Sequence, residues 1–159
     1  MTAQERERIL VVDDEQIVLT SIRGLVESET DYQVETFEQP QAALAYLADR
    51  EVSLVLSDYL MPDMDGISFL GEVKKLQPGV PRVLLTGHAD KDTAIQAIND
   101  IGLFQYVEKP WDNDDLLLTL RNGVQRRHLQ RQLDAKMAEI DAAYGELVDL
   151  QREVLKTFT

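Results

Sequence analysis

The chain predicts a doubly wound α/β fold, a five-stranded parallel sheet with helices on both faces. Three observations carry that expectation. Apolar runs alternate five times with segments of helical periodicity. Three runs, Ile9-Leu10-Val11-Val12, Leu54-Val55-Leu56 and Val83-Leu84-Leu85, are continuous, as strands buried on both faces require. The other two, residues 32–37 and 104–107, mix polar and apolar side chains and suit sheet edges with one wetter face.

The helices follow in order. Ile17, Ile22, Leu25 and Val26 mark the buried side of the first. Residues 39–48, rich in Ala and Leu, form the second, with Pro40 in its first turn. Ile67, Leu70, Val73 and Leu76 recur at helical spacing and stop at Pro78-Gly79. Ala94, Ile95, Ala97, Ile98 and Ile101 make the fourth. Asp112 is the expected N-cap of the fifth, with Asp115 three residues on. Right-handed crossovers and the two amphipathic edges select the flavodoxin-like strand order 2-1-3-4-5.

The fifth helix does not stop where a domain should. From Asp112 to Phe158 there is no proline, and only Gly123 and Gly145 interrupt the side chains. A helix over that span is about 70 Å long, more than a small domain covers. Leu133, Met137, Ile140, Tyr144, Leu147, Val154 and Phe158 fall at alternating spacings of four and three, with Gln151 in the missing slot. That is a heptad seam. It predicts a coiled coil, most simply a parallel homodimer, with Gln151 as a polar core residue that fixes register. Val148, Leu150 and Leu155 widen the apolar face and leave a larger bundle open; an amphipathic helix folded back on its own domain is the other reading. The expected division is a domain over residues 1–128 and a helical coiled-coil linker over 129–159. Because the chain ends still in helical pattern, an output domain is expected beyond it.

Composition narrows the function. The chain has 159 residues and a net charge of −13, which argues against direct nucleic-acid binding because phosphate contacts need a basic surface. Arg121, Arg126, Arg127 and Arg131 cluster locally and read as a solvated helix face. With no cysteine, disulfide and thiolate chemistry are excluded. No apolar stretch reaches the roughly 18 residues of a membrane span, and nothing near Met1 resembles a signal peptide. A cytoplasmic protein with no membrane partner is expected.

Ligands of open α/β sheets bind outside the carboxyl ends of the strands. Those ends carry Asp13, Asp14 and Glu15 after the first strand and Asp58 after the third. Thr86 and Gly87 follow the fourth, and Glu108, Lys109 and Pro110 the fifth. Taken singly, the acids could cap helices or turns, Thr86 could cap and Lys109 could be a surface charge. Together, three aspartates, a hydroxyl and an ammonium converge on one crevice. Clustered carboxylates raise one another's pKa, and a hard divalent cation relieves the conflict. Oxygen ligands with open positions suit Mg²⁺. Aspartates form aspartyl-phosphates, and fixed donors and cations stabilise charge developing on a phosphoryl group. Thr86 and Lys109 supply those, and Gly87 leaves room.

The stretches Ile9-Leu-Val-Val-Asp-Asp-Glu15, Leu56-Ser-Asp-Tyr-Leu-Met-Pro-Asp-Met-Asp-Gly66, Leu85-Thr-Gly87 and Tyr106-Val-Glu-Lys-Pro110 resemble the receiver domain of response regulators in bacterial two-component signalling. The resemblance covers roughly residues 7 to 128. It implies that Asp58 accepts a phosphoryl group from the phosphohistidine of a sensor histidine kinase or phosphotransfer protein. It also implies that Asp14, Asp58 and the backbone carbonyl of Leu60 bind Mg²⁺ directly, with Asp13 acting through water. Thr86 and Lys109 would contact the phosphoryl oxygens, and Lys109-Pro110 would be cis. Gly87 stands where the family commonly has Ala. Leu60 and His88 occupy positions that tune phosphate lifetime, and their hints oppose one another. Thr86 and Tyr106 would be the switch, passing the change to the long helix and on to an output module. Trp111 is expected to pack at the base of that helix. On this reading the chain is a phosphoprotein and a regulator rather than an enzyme acting on other molecules. A free-standing phosphatase with an Asp nucleophile is the competing class. Asp58-Tyr59-Leu60 lacks the second acid such enzymes carry two residues on. A degenerate receiver serving only as a dimer scaffold is disfavoured by the intact acidic pair, Asp58, Thr86 and Lys109.

Overall fold

A computed structural model describes residues 6–157. Strands β1 (Arg8–Val12), β2 (Gln33–Phe37), β3 (Leu54–Asp58), β4 (Arg82–Thr86) and β5 (Gln105–Glu108) alternate with helices α1 (Gln16–Glu29), α2 (Pro40–Leu47), α3 (Gly66–Leu76), α4 (Lys91–Ile101) and α5 (Asn113–Thr157). A short 3₁₀ turn, His88–Asp90, precedes α4. All strand pairings are parallel, and the order is β2-β1-β3-β4-β5. The predicted fold class, strand order and edge strands are those observed.

The continuous apolar runs feed two cores, one on each face of the sheet. Leu10, Val12, Val55 and Leu84 point one way, against Ala43 and Leu47 of α2, Phe69, Leu70 and Val73 of α3, and Ala94 and Ala97 of α4. Their neighbours Ile9, Val11, Leu54, Leu56, Val83 and Leu85 point the other way, against α1 and the first turns of α5. The two-residue period of a strand splits each run between the faces.

Helix starts obey local chemistry. The Asp65 side chain accepts from Ser68 N at 2.7 Å and opens α3, and Asp112 accepts from Asp115 N at 3.1 Å, the expected cap of α5. Pro40 opens α2. The first helix corrects one expectation. Ile22 and Val26 are buried and Leu25 is half-buried, but Ile17 is 73% exposed and Leu19 takes the inward position. Two residues along a helix is about 200°, so the two cannot share a face. Leu76 and Ile95 likewise end outside the core.

Buried Arg82 ties β4 to α3 and to the end of α4. Its guanidinium donates to Leu70 O (3.1 Å), Ile101 O (2.6 Å) and Gly102 O (3.0 Å). The cation meets the negative end of α4 at Ile101 and Gly102, and a mid-helix carbonyl of α3 at Leu70. The basic cluster is only partly a solvated face: Arg121 donates to Glu29 O at the end of α1 (3.0 Å), and Arg126 lies over the Phe104 ring at 5.4 Å.

The chain divides into two compact units, Met1–Arg127 and His128–Thr159. The second is helical through Thr157. Its seam residues Leu133, Met137, Ile140, Tyr144, Leu147 and Val154 are each about half exposed or more. The eighth seam position, Phe158, lies outside the described residues. Among the described residues no helix is long and apolar enough to cross a membrane.

Candidate functional site

The site is assembled by backbone pairing that continues past the strand ends. Asp13 N donates to Phe37 O (3.1 Å), Tyr59 N to Leu85 O (2.9 Å) and Lys109 N to Thr86 O (2.8 Å). These bonds hold the residues at the ends of β1, β3, β4 and β5 on one rim. Asp58 and Thr86 are the last residues of their strands.

Asp13, Asp14 and Asp58 each present a carboxylate oxygen, all within 4.8 Å of one another. Asp13 is fully buried and Asp58 is 7% exposed, whereas Asp14 faces solvent. Lys109 Nζ lies 3.1 Å from Asp13 Oδ2 and 2.9 Å from Asp58 Oδ1. One ammonium thus bridges the two buried acids. Asp13 Oδ1 also accepts from Glu15 N at 2.8 Å. Burial raises the pKa of Asp13, assisted by the charge of Asp58 and opposed by the Glu15 amide and Lys109. Asp58 is raised by burial too, against Lys109 and the Tyr59 amide. Burial pulls Lys109 down, but its bonds to Asp58 and the charge of Asp13 outweigh that and raise it. All three directions agree physically: the ammonium is held charged, and it does not fully compensate two desolvated carboxylates.

Thr86 is fully buried at the adjacent strand end, and its Oγ1 donates to Gly87 O at 3.2 Å. Tyr106 is half-buried against the core on the α2–α4 side. It also lines a groove of about 510 Å³ with Glu108, Trp111, Asp112 and Leu118. Trp111 packs on the opposite core, and its Nε1 donates to Asn113 Oδ1 at 3.2 Å. Leu60 sits in the loop between β3 and α3 with its side chain 65% exposed. His88 Nδ1 lies 3.6 Å from Glu108 Oε2, and Lys91 reaches the same carboxylate at 3.6 Å. The Lys109–Pro110 bond is cis. Gly87 is less constrained than its sequence suggests: a Cβ there meets only Asp90 Oδ2, at 3.9 Å.

The residue that sequence reasoning passed over is Gly66. A Cβ on it stands 2.0 Å from the backbone oxygen of Asp58, and Gly66 N donates to Tyr59 O at 2.7 Å. The loop after Asp58 therefore folds back tightly onto the strand end that carries the carboxylate. The signal was present, since Asp65-Gly66 closes the loop, but nothing in a sequence reports which backbone atom a glycine approaches.

The donor set fits a small hard cation. Three carboxylates against one ammonium leave two negative charges in the crevice, and the ligands are all oxygen, two of them desolvated. A divalent ion neutralises that excess.

Residues 9–121 match the response regulator receiver domain family. The hydrogenase transcriptional regulatory protein HoxA of Cupriavidus necator is 34% identical over 128 residues, 80% of this chain and 26% of that protein. The chain spans about a quarter to a third of the first curated relatives it matches. Among solved structures, the signal receiver domain of an HD domain-containing protein from Pseudomonas fluorescens Pf-5 is 35% identical. It has a TM-score of 0.74, over 83% of this chain and 96% of that one. An adenylate cyclase from Rhodopirellula baltica is 26% identical with a TM-score of 0.78, over 83% and 97%.

Proposed function

The chain belongs to the response regulator receiver domain family, and on that premise we propose that Asp58 is its phosphoryl acceptor and a sensor histidine kinase or phosphotransfer protein its donor. The observation that carries this reading is the Asp58 carboxylate itself. It is buried at a strand end, gathered with Asp13 and Asp14 and held by Lys109 at 2.9 Å.

In the proposed step an Asp58 carboxylate oxygen attacks the phosphorus of a phosphohistidine. The new P–O bond forms as the P–N bond breaks, and the departing imidazole nitrogen takes up a proton from water. Lys109 orients the nucleophile and then pairs with the incoming phosphoryl oxygens, and Thr86 supplies a hydroxyl donor to them. Asp14, Asp58 and the backbone carbonyl of Leu60 would hold Mg²⁺, with Asp13 acting through water. When bound, that ion supplies charge neutralisation for an anionic group approaching anionic ligands.

The readout is a change in the Thr86 hydroxyl and in Tyr106, passed to α5. In this reading residues 1–128 form the receiver and residues 129–159 a coiled-coil linker, through which two copies pair as a homodimer and signal to an output module. The chain acts as a cytoplasmic regulator that modifies only itself, with no nucleic acid or membrane contact of its own. Support comes from the acidic balance of −13 and the exposed seam.

The test is incubation with Mg²⁺ and an acyl-phosphate donor, followed by intact mass. The parent chain gains the mass of one phosphoryl group, and Asp58→Asn does not. An unmodified parent, or equal modification of both, contradicts the proposal.

A further inference from the structure

We infer that the α5 seam takes a second copy of this chain in parallel and in register, with Gln151 facing its counterpart and Lys136 paired with the partner's Asp141. The inference rests on the proposed homodimer and adds the flanking pairs, Lys136–Asp141 among them, that select the parallel orientation. The spacing assigns Leu133, Ile140, Leu147 and Val154 to one set of core positions. Met137, Tyr144 and Gln151 form the other set. Apart from Gln151 these are apolar side chains, and all of them are exposed, an apolar stripe that water does not favour.

The residues flanking the core decide the orientation. In a parallel pair each flanking position before a core layer faces, on the partner, the position five residues further on. Lys136 then meets the partner's Asp141, opposite charges. Ala143 meets the partner's Val148, and Leu150 the partner's Leu155, both apolar pairs extending the core. Gln151 meets the partner's Gln151, so each buried amide finds a hydrogen-bonding amide.

An antiparallel pair that overlaps the same seam undoes the charged match and the amide match. Asp141 falls opposite the partner's Val148, so Lys136 loses its oppositely charged partner. Gln151 faces the partner's Ile140, an amide with no partner in an apolar layer, which is costly. Within its own helix Lys136 already contacts Glu139 at 3.3 Å, so a charge reversal at 136 needs a control that leaves Glu139 untouched. The Asp141 swap provides it.

The chain has no cysteine, so single cysteines report on geometry directly. Met137→Cys and Val154→Cys are made separately in the full chain, oxidised alone and as a mixture, and sedimentation equilibrium measures the mass of each unoxidised protein. A parallel pair links each variant to itself and forms no mixed product. Formation of the mixed disulfide alone overturns the orientation while the dimer stands. A monomer in sedimentation overturns the dimer beneath it. Lys136→Glu should weaken association about fivefold, and adding Asp141→Lys should restore it. Failure of that rescue in a protein with the parallel disulfide result removes the Lys136–Asp141 pair from the account.

Discussion

Asp58 is held in a conflict that its neighbours only partly resolve. Burial raises its pKa while Lys109 opposes the rise. A carboxyl group whose folded pKa lies above its unfolded value takes up protons on folding, so metal-free protein loses stability as pH climbs through that pKa. Asp58→Asn removes the charge and leaves Lys109 its bond to Asp13 at 3.1 Å. In chelator at pH 7 it should raise Tm by roughly 4 °C, on the order of 1 kcal/mol. The gain should vanish below about pH 4, where the parent carboxyl is itself protonated. Calorimetry across that range checks the sign, and a lower Tm for the variant at pH 7 contradicts it. Thr86→Ala should remain phosphorylated but lose most of the donor-dependent change in crosslinking along the α5 seam; undiminished change removes Thr86 from the relay. The convergence of Asp13, Asp14, Asp58 and Lys109 was legible because the three acids follow continuous apolar runs that suit buried strands and Lys109 follows an edge strand of the same parallel sheet. The bridging of two acids by one lysine was not, because it depends on side-chain reach across one intervening strand to Asp58 and two to Asp13.

At the scale of elements, two glycines set how closely the backbone packs, and they should respond differently. A Cβ at Gly66 meets the carbonyl oxygen of Asp58 at 2.0 Å, an atom that cannot yield without moving β3. Gly66→Ala should cost about 3 kcal/mol or more and reduce phosphorylation along with stability. At Gly123 the Cβ meets Leu54 Cδ1 at 2.4 Å and the Phe104 ring at 3.0 Å, the ends of movable side chains. There the overpacking is offset by the better helix propensity of alanine, about 1 kcal/mol. Gly123→Ala should therefore cost only about 1 kcal/mol in urea unfolding, and the reverse ranking of the two variants contradicts this packing account. Periodicity revealed all five helices but not every inward face. Ile17 is apolar and exposed, Leu19 is apolar and buried, and hydrophobicity alone cannot rank two leucine-like residues on opposite sides of one turn. Arg82 is the converse case. A charged residue beginning an apolar run reads as a solvent boundary, yet the middle of α3 and the end of α4 supply three carbonyls that make it a core residue.

The whole molecule combines an acidic crevice in its first unit with an exposed apolar seam in its second. Mg²⁺ should stabilise the parent chain by mass action, about 1.4 kcal/mol at ten times its Kd. The effect should weaken toward mildly acidic pH, because protons compete for the raised carboxyls Asp13 and Asp58. Thermal shifts with and without Mg²⁺ at pH 5 and pH 8 measure this, and equal shifts at both contradict it. The central claim is that Asp58 carries the phosphoryl group, and reductive trapping tests it most directly. Borohydride converts an aspartyl-phosphate to homoserine, which peptide mass mapping locates. After incubation with Mg²⁺ and an acyl-phosphate donor, homoserine should replace aspartate at position 58 and nowhere else. Its appearance at another acid, or no conversion in protein that binds Mg²⁺, contradicts the account.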